Sequence, residues 1–463
     1  MRRNHRIFSA LLFSALLFSA LLLSGCGGRD SVTTAPAEVV PTVTSADSFS
    51  PAAAETAVFS SKDGVAIHWA APETDAETCR LPVLDIAPHA ITVEEARRAA
   101  DALFGDGAVY FQHRPCRPVS KASITKKVME WQAILGSDAL ETLYGDQPET
   151  VASARLELQR CIDETQTLYD AAPDTEQRAE YDWVFRPQEA YSSLSAYLPE
   201  GNDTVWADTL CGSLPYTFSA TNRSRGDFYL NSLFAYPLTD DTAGLVEDSL
   251  FRFAHSYESR PTVEQLESAK ARAQELLDEF ALGEWTVDRC GVKDRALDPE
   301  APRYTIEVRA VPVYHGAAVQ RQTQVSSLRD VDGIGWYHAT AAFEFGADNT
   351  LFHFELFSPA DAAETEDRGT LSSADAASAL QAALADKDLS SFFVSIGQRK
   401  QDVYIYEVRP YYRRVGGSDG SYRYVPCLAA MAAFADASVT GEPLTGDALY
   451  PLAAISLLDG SAV

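Results

Sequence analysis

The sequence predicts an α+β protein: an N-terminal mixed domain followed by tandem helix-plus-antiparallel-sheet units. Three observations predict it. Amphipathic helices with N-terminal cap signals alternate with short runs rich in Val, Ile, Tyr and Phe. Turn signals of the Asp-Gly kind separate several of those runs. Finally, Tyr304-Thr-Ile-Glu-Val-Arg309 returns as Tyr404-Ile-Tyr-Glu-Val-Arg409, four of six positions identical at an offset of 100, within the same order of elements.

Along the chain, Val58 to Trp69 reads as two short strands flanking Asp63-Gly64, and Leu81 to Ile86 as another strand. Thr92-Val-Glu-Glu95 is a capping box that opens a helix to Phe104, with Ala96, Ala99, Ala100, Leu103 and Phe104 on one face and Gly105 closing it. Helices follow at about 123–135 and 150–169. Residues 171–260, rich in Tyr, Phe, Trp, Pro and Asp without clear period, read as strands with long loops. Pro261-Thr262-Val-Glu-Gln265 opens a long helix with Leu266, Ala269, Ala273, Leu276, Leu277 and Phe280 on one face. Strands are expected at Trp285–Val292 and Tyr304–Tyr314, then a hairpin over Ala341–Phe357 turned at 346–350. Leu371-Ser372-Ser-Ala-Asp375 opens a second Ala-rich helix to about Ala385, followed by strands at Phe392–Ile396 and Tyr404–Tyr412. The expected domains are therefore 56–260, 261–360 and 361–463.

The N-terminus supplies the address. Met1 to Arg6 is cationic, and Ile7 to Leu23 is a seventeen-residue apolar run with three tandem Phe-Ser-Ala-Leu-Leu copies. That is the layout of a secretory signal, and it is short of the roughly 20 residues that span a bilayer. Leu23-Ser24-Gly25-Cys26 resembles the lipobox of bacterial lipoproteins. The resemblance implies a signal peptide over residues 1–25, cleavage before Cys26, and a diacylglycerol thioether on its sulfur. Two acyl chains suffice for stable attachment to a membrane. Residues 26–55, rich in Ser, Thr, Ala, Pro and Val, read as a disordered tether. The expected location is the extracytoplasmic face of a cell membrane.

Composition narrows the partners. The formal net charge is -28, and removal of Arg2, Arg3 and Arg6 with the signal lowers it to -31. No Lys/Arg run supplies the basic footprint of a nucleic-acid binder, so no nucleic acid is expected. Six cysteines follow Cys26: Cys79, Cys116, Cys161, Cys211, Cys290 and Cys427. An even number permits three disulfides, and spread so thinly it equally permits buried thiols. There is no CxxC, no G-x-S-x-G and no HExxH, and Gly416-Gly417 lacks the lysine of a P-loop and reads as a hairpin loop.

The capped helix followed by antiparallel strands, with Asp459-Gly460 near the last strand, resembles the PepSY-type modules of exported bacterial proteins over about 200 residues. The usual Asp spacing of such modules is absent here. Pro82 to Phe104 resembles uncharacterised clostridial lipoproteins. The PepSY resemblance implies a non-catalytic role, binding or regulating a partner in the cell envelope, with no cofactor. Alternatives are a solute- or glycan-binding lipoprotein and an envelope hydrolase.

Three constellations stand out. Glu307/Arg309 and Glu407/Arg409 are i,i+2 pairs on one face of their strands, opposite Tyr304, Ile306 and Val308 or Tyr404, Tyr406 and Val408. They read chiefly as ion pairs on a solvated sheet face. His338, Glu344, His353 and Glu355 are the best candidate metal ligands, though without fixed spacing. Tyr404, Tyr406, Tyr411, Tyr412, Tyr422 and Tyr424 crowd one hairpin and read as sheet packing more readily than as a stacking platform.

Overall fold

In the computed structural model of the protein, the described residues are 57–71, 74–105, 108–110, 120–145, 147–174, 181–187, 202–211, 214–225, 228–229, 231–237, 242–294, 303–320, 339–395, 400–416, 421–433 and 450–463. Cys26 and the segments expected as signal peptide and tether lie outside them. Among the described residues no helix is long and apolar enough to cross a membrane.

The N-terminal part follows the local signals closely. Hairpin β1 (Ala57–Ser60) and β2 (Ala66–Trp69) turns with Gly64 at φ 79°, and β3 is Pro82–Pro88. Helix α1 is Val93–Phe104, and its capping box is complete: Thr92 Oγ1 accepts the Glu95 N–H, and the Glu95 carboxylate accepts the Thr92 N–H at 2.8 Å. Helices α2 (Lys121–Leu135), α3 (Ala139–Tyr144) and α4 (Pro148–Gln166) bury Ile124, Trp131, Leu140 and Leu158 in a small core of their own. Strands β4 (Arg186–Pro187), β5 (Asn202–Cys211), β6 (Leu214–Arg225), β7 (Phe228–Tyr229) and β8 (Ser232–Pro237) precede helix α5 (Thr242–His255). That helix lies where the aperiodic, aromatic-rich sequence reads as strand and loop.

The C-terminal part comprises α6 (Val263–Phe280), β9 (Trp285–Asp294), β10 (Tyr304–Tyr314), β11 (Ala317–Val319), β12 (Thr340–Phe345), β13 (Leu351–Phe357) and β14 (Ala360–Arg368). It continues with α7 (Ser373–Ala385), α8 (Leu389–Ser395), β15 (Val403–Gly416), β16 (Tyr422–Ala433) and β17 (Tyr450–Ser456). The segment expected as a strand at Phe392 is thus a helix. Its N-terminal amides are capped locally by Asp388 and from a distance by Asp63 of the β1–β2 turn, which accepts the N–H groups of Leu389 and Ser390. These bonds, with Ser390 and Ser61 hydroxyls first among them, hold the Asp63 carboxyl well below its usual range.

Two sheets result. The first is antiparallel throughout, in the order β4-β5-β6-β8-β13-β12-β10-β9. One of its faces packs Phe218, Leu233, Ile306, Val308, Phe343 and Phe354 against α1 and α6. All six residues expected on the apolar face of α6 are buried there. In the second sheet, β15 pairs with β16 along its length. Both β2 and β11 lie parallel to β15. On β16, β17 and β3 pair with successive stretches, and β14 pairs with β3. Helix α7 covers this sheet through Ala376, Leu380 and Leu384. Strand β10 belongs to both sheets: Ile306–Ala310 pair with β12, whereas Val313 and Tyr314 pair with β11.

The architecture is α+β, as expected. The strands of residues 202–237 share a sheet with those of 285–357, and β1 to β3 share one with β14 to β17.

Candidate functional site: the polar face of the first sheet

Alternation along each strand puts one set of side chains into the core and the other on the opposite face. On β10 the second set is Thr305, Glu307 and Arg309. On β12 it includes Glu344, and on β13 it includes His353 and Glu355. Register aligns Glu307 with Glu344 and Glu344 with His353, so these three side chains form a row across three strands. Glu355 stands opposite Ala342 in the next row.

Each carboxylate in this array has a basic side chain beside it. Arg309 Nη2 donates to Glu307 Oε1 at 2.8 Å, and His353 Nε2 lies 3.3 Å from Glu355 Oε2. Glu344 is the most buried member at 7% side-chain exposure. It accepts a hydrogen bond from Thr305 Oγ1 at 3.0 Å, with Lys293 Nζ at 3.5 Å and Arg252 Nη1 at 3.9 Å. The carboxylate is therefore buried among cations rather than poised to bind a metal. Among the described residues no group of three His, Cys, Asp or Glu side chains could hold a metal ion. His338 lies outside the described residues.

The second repeat carries the same ion pair, now bidentate: Arg409 Nε and Nη2 donate to the two Glu407 oxygens at 2.8 and 3.0 Å. The face it occupies differs in one respect from expectation. The β15–β16 register shifts between Ile405 and Glu407, a bulge that changes the alternation. Val403 and Ile405 point into the core, Val408 rejoins it beyond the bulge, and Tyr404 and Tyr406 stack together on the other side.

The tyrosines divide. Tyr412, Tyr422 and Tyr424 are buried with Tyr314, Leu84 and Ile86 in a compact core, and burial raises the Tyr314 hydroxyl to about 12. Tyr411 is also largely enclosed, beside Cys427. Tyr404 stacks on His68 at 4.4 Å and on Tyr406 at 6.1 Å. Stacked on one another, these rings use their own faces.

Sequence reasoning missed the groups that reach the face from elsewhere. Arg252 comes from α5, and Lys293 and Arg303 flank the β9–β10 connection. A lone basic residue carries no local mark of the acid it will meet. It also missed His89, whose Nδ1 lies 2.9 Å from Asp361 Oδ1 and whose Nε2 lies 3.1 Å from both Glu95 oxygens. The cysteines, open in the sequence, are settled at four positions: Cys79, Cys161, Cys290 and Cys427 are buried thiols.

Fold and site together define an α+β protein that presents a balanced, charge-paired sheet face. No family model matches the chain, and no curated protein matches it. Among solved structures it is similar to an uncharacterized protein from Eubacterium rectale, with 10% sequence identity, a TM-score of 0.36, and coverage of 89% of this chain and 93% of that one.

Proposed function

We propose that the protein is a lipid-anchored component of the bacterial cell envelope, held by Cys26 on the extracytoplasmic side, that binds and regulates a protein partner without chemistry of its own. The observation that carries the partner-binding part is the half-exposed array on the first sheet. Arg309 and Glu307 are 42% and 33% exposed, and His353 and Glu355 are 36% and 30% exposed. Alternating charges on stiff strands set the orientation and specificity of a docking partner more than its raw affinity. The lipobox-like Leu23-Ser24-Gly25-Cys26 supports the anchor. PepSY-like character is part of the same reading, supported by capped α6 leading into an antiparallel sheet and by the repeated Glu-Val-Arg strand.

Two measurements test this. Metabolic labelling with palmitate should mark the wild type and not Cys26→Ala, which should also leave the membrane fraction. Partner capture from envelope extracts by the detergent-solubilised full chain should fall about tenfold or more in Arg309→Glu. Capture that is indifferent to this charge reversal, in a variant with wild-type circular dichroism, would remove the sheet face from consideration.

A further inference from the structure

Strand β9 pairs, among the described residues, with β10 alone. The register sets Arg289 beside Arg309, Gly291 beside Glu307 and Lys293 beside Thr305, so these three β9 residues share the polar face. Glycine is costly in the interior of a strand, because it loses more freedom on folding than any other residue and packs nothing. No internal contact requires it here. A Cβ on Gly291 would meet no described atom within 4 Å, and its φ lies outside the left-handed region. A strand glycine without an internal reason marks a place where something else comes close to the backbone.

The charges around this notch indicate what approaches. Arg289, on one side, is exposed and has no carboxylate at ion-pair distance among the described residues. Asp288 next to it is the extra residue of the β9 bulge and has one carboxylate oxygen buried. Lys293, on the other side, is 42% exposed and 3.5 Å from Glu344. Glu307, across the strand, is already bonded by Arg309 at 2.8 Å. The residues that register fixes on this face of β9 and β10 thus set Arg289, Lys293 and Arg309 against Glu307, on a chain whose formal charge is -28. We propose that the notch receives an acidic, extended segment of the protein partner, its backbone lying over Gly291 and a carboxylate on Arg289. The inference rests on the reading of this face as a docking surface and gives the partner its chemistry. The net charge of the chain repels such a segment, so local charge complementarity directs it to this strip.

Fluorescence anisotropy of a labelled Glu-Thr repeat peptide, titrated with the full chain in detergent, tests the assignment. Such a repeat favours extended backbone, which places its carboxylates on one side. Saturable binding is expected, weakening as salt is added, and at least about tenfold tighter than that of a Gln-Thr repeat. Arg289→Gln should weaken it about tenfold or more, the effect of losing one hydrogen bond to a charged group. Gly291→Leu should weaken it as much by filling the notch, while its urea midpoint stays at or above that of the wild type. If Gly291→Leu does not fold, Arg289→Gln at its exposed position carries the test. Absence of saturable binding up to about 1 mM, a Gln-Thr repeat that binds as tightly, or full affinity in the folded variants would each overturn the proposal. Capture from envelope extracts that still depends on Arg309 would in those cases keep the docking face itself, so the two readings fail separately.

Discussion

At His89 one imidazole is gripped from both sides, by Asp361 of β14 and Glu95 of α1, while its carbonyl accepts the Asn231 side chain. Burial lowers the imidazole pKa, but the two carboxylates outweigh it and the net shift is upward. A raised pKa means that the ring contributes stability fully below its unfolded value, and that this contribution fades as pH rises through the folded value. Urea unfolding of wild type and His89→Gln should therefore differ most near about pH 5.5 and least near about pH 9, on either side of the ordinary histidine range. A gap independent of pH would show that His89 acts only through packing. The thiols give a second prediction. Cys79 is 1% exposed and Cys427 fully buried, and burial pushes the Cys427 thiol up to about 11. Both should resist iodoacetamide at neutral pH until the protein is denatured, because the thiolate is the nucleophile; rapid native labelling of either would contradict the burial. Glu95 was legible as half of a capping box. The grip on His89 was not, because its other partner, Asp361, lies 272 residues away and leaves no local trace.

At the scale of elements, helix starts are legible because a cap is a contact between near neighbours. Thr92, Thr262 and Ser372 all cap as their sequences foretell. Thr92→Ala should cost about 1 kcal/mol in chemical denaturation, the usual worth of an N-cap. The buried stripe of α6 was legible for the same reason, since a 3.6-residue period is written in the helix itself. Phe280 is wholly buried against the first sheet, so Phe280→Ala should cost about 3–5 kcal/mol, as aromatic truncations in cores do. A loss under about 1 kcal/mol would mean the side chain is not in the core at all. Two of the departures have identifiable reasons. Phe392 sits in an apolar run that periodicity alone cannot assign to strand or helix, and the cap from Asp63 decides it from 326 residues away. The bulge beside Tyr406 interrupts an alternation that the repeat with Tyr304–Arg309 had suggested was uniform.

For the whole molecule, the local pattern predicts strands but not their neighbours. The repeated Glu-Val-Arg strands do occupy comparable places, each paired antiparallel with the strand that follows it in its sheet. Yet β9 lies antiparallel to β10 while β2 lies parallel to β15, a difference that no spacing in the sequence records. Gly369 shows how tightly the distant parts close. Its N–H donates to the Leu81 carbonyl, and a Cβ there would stand 2.1 Å from the Cys79 carbonyl oxygen. Gly369→Ala should therefore destabilise the protein by about 3 kcal/mol or more, since backbone cannot yield as a side chain can; a near-neutral midpoint in urea would argue against this closure.

The distance between β2 and its partner also has a bearing on time. His68 meets Asp402 across 334 residues of chain, and synthesis proceeds from the N-terminus. The β1–β2 hairpin consequently precedes its partner β15, and β3 precedes its partners β14 and β16, by most of the chain. Closing a loop of that length is slow compared with local pairing, and unpaired strands invite association with other chains. The second sheet therefore cannot be completed before its C-terminal strands exist, and the pairing of β2 with β15 is among the longest-range steps of the fold.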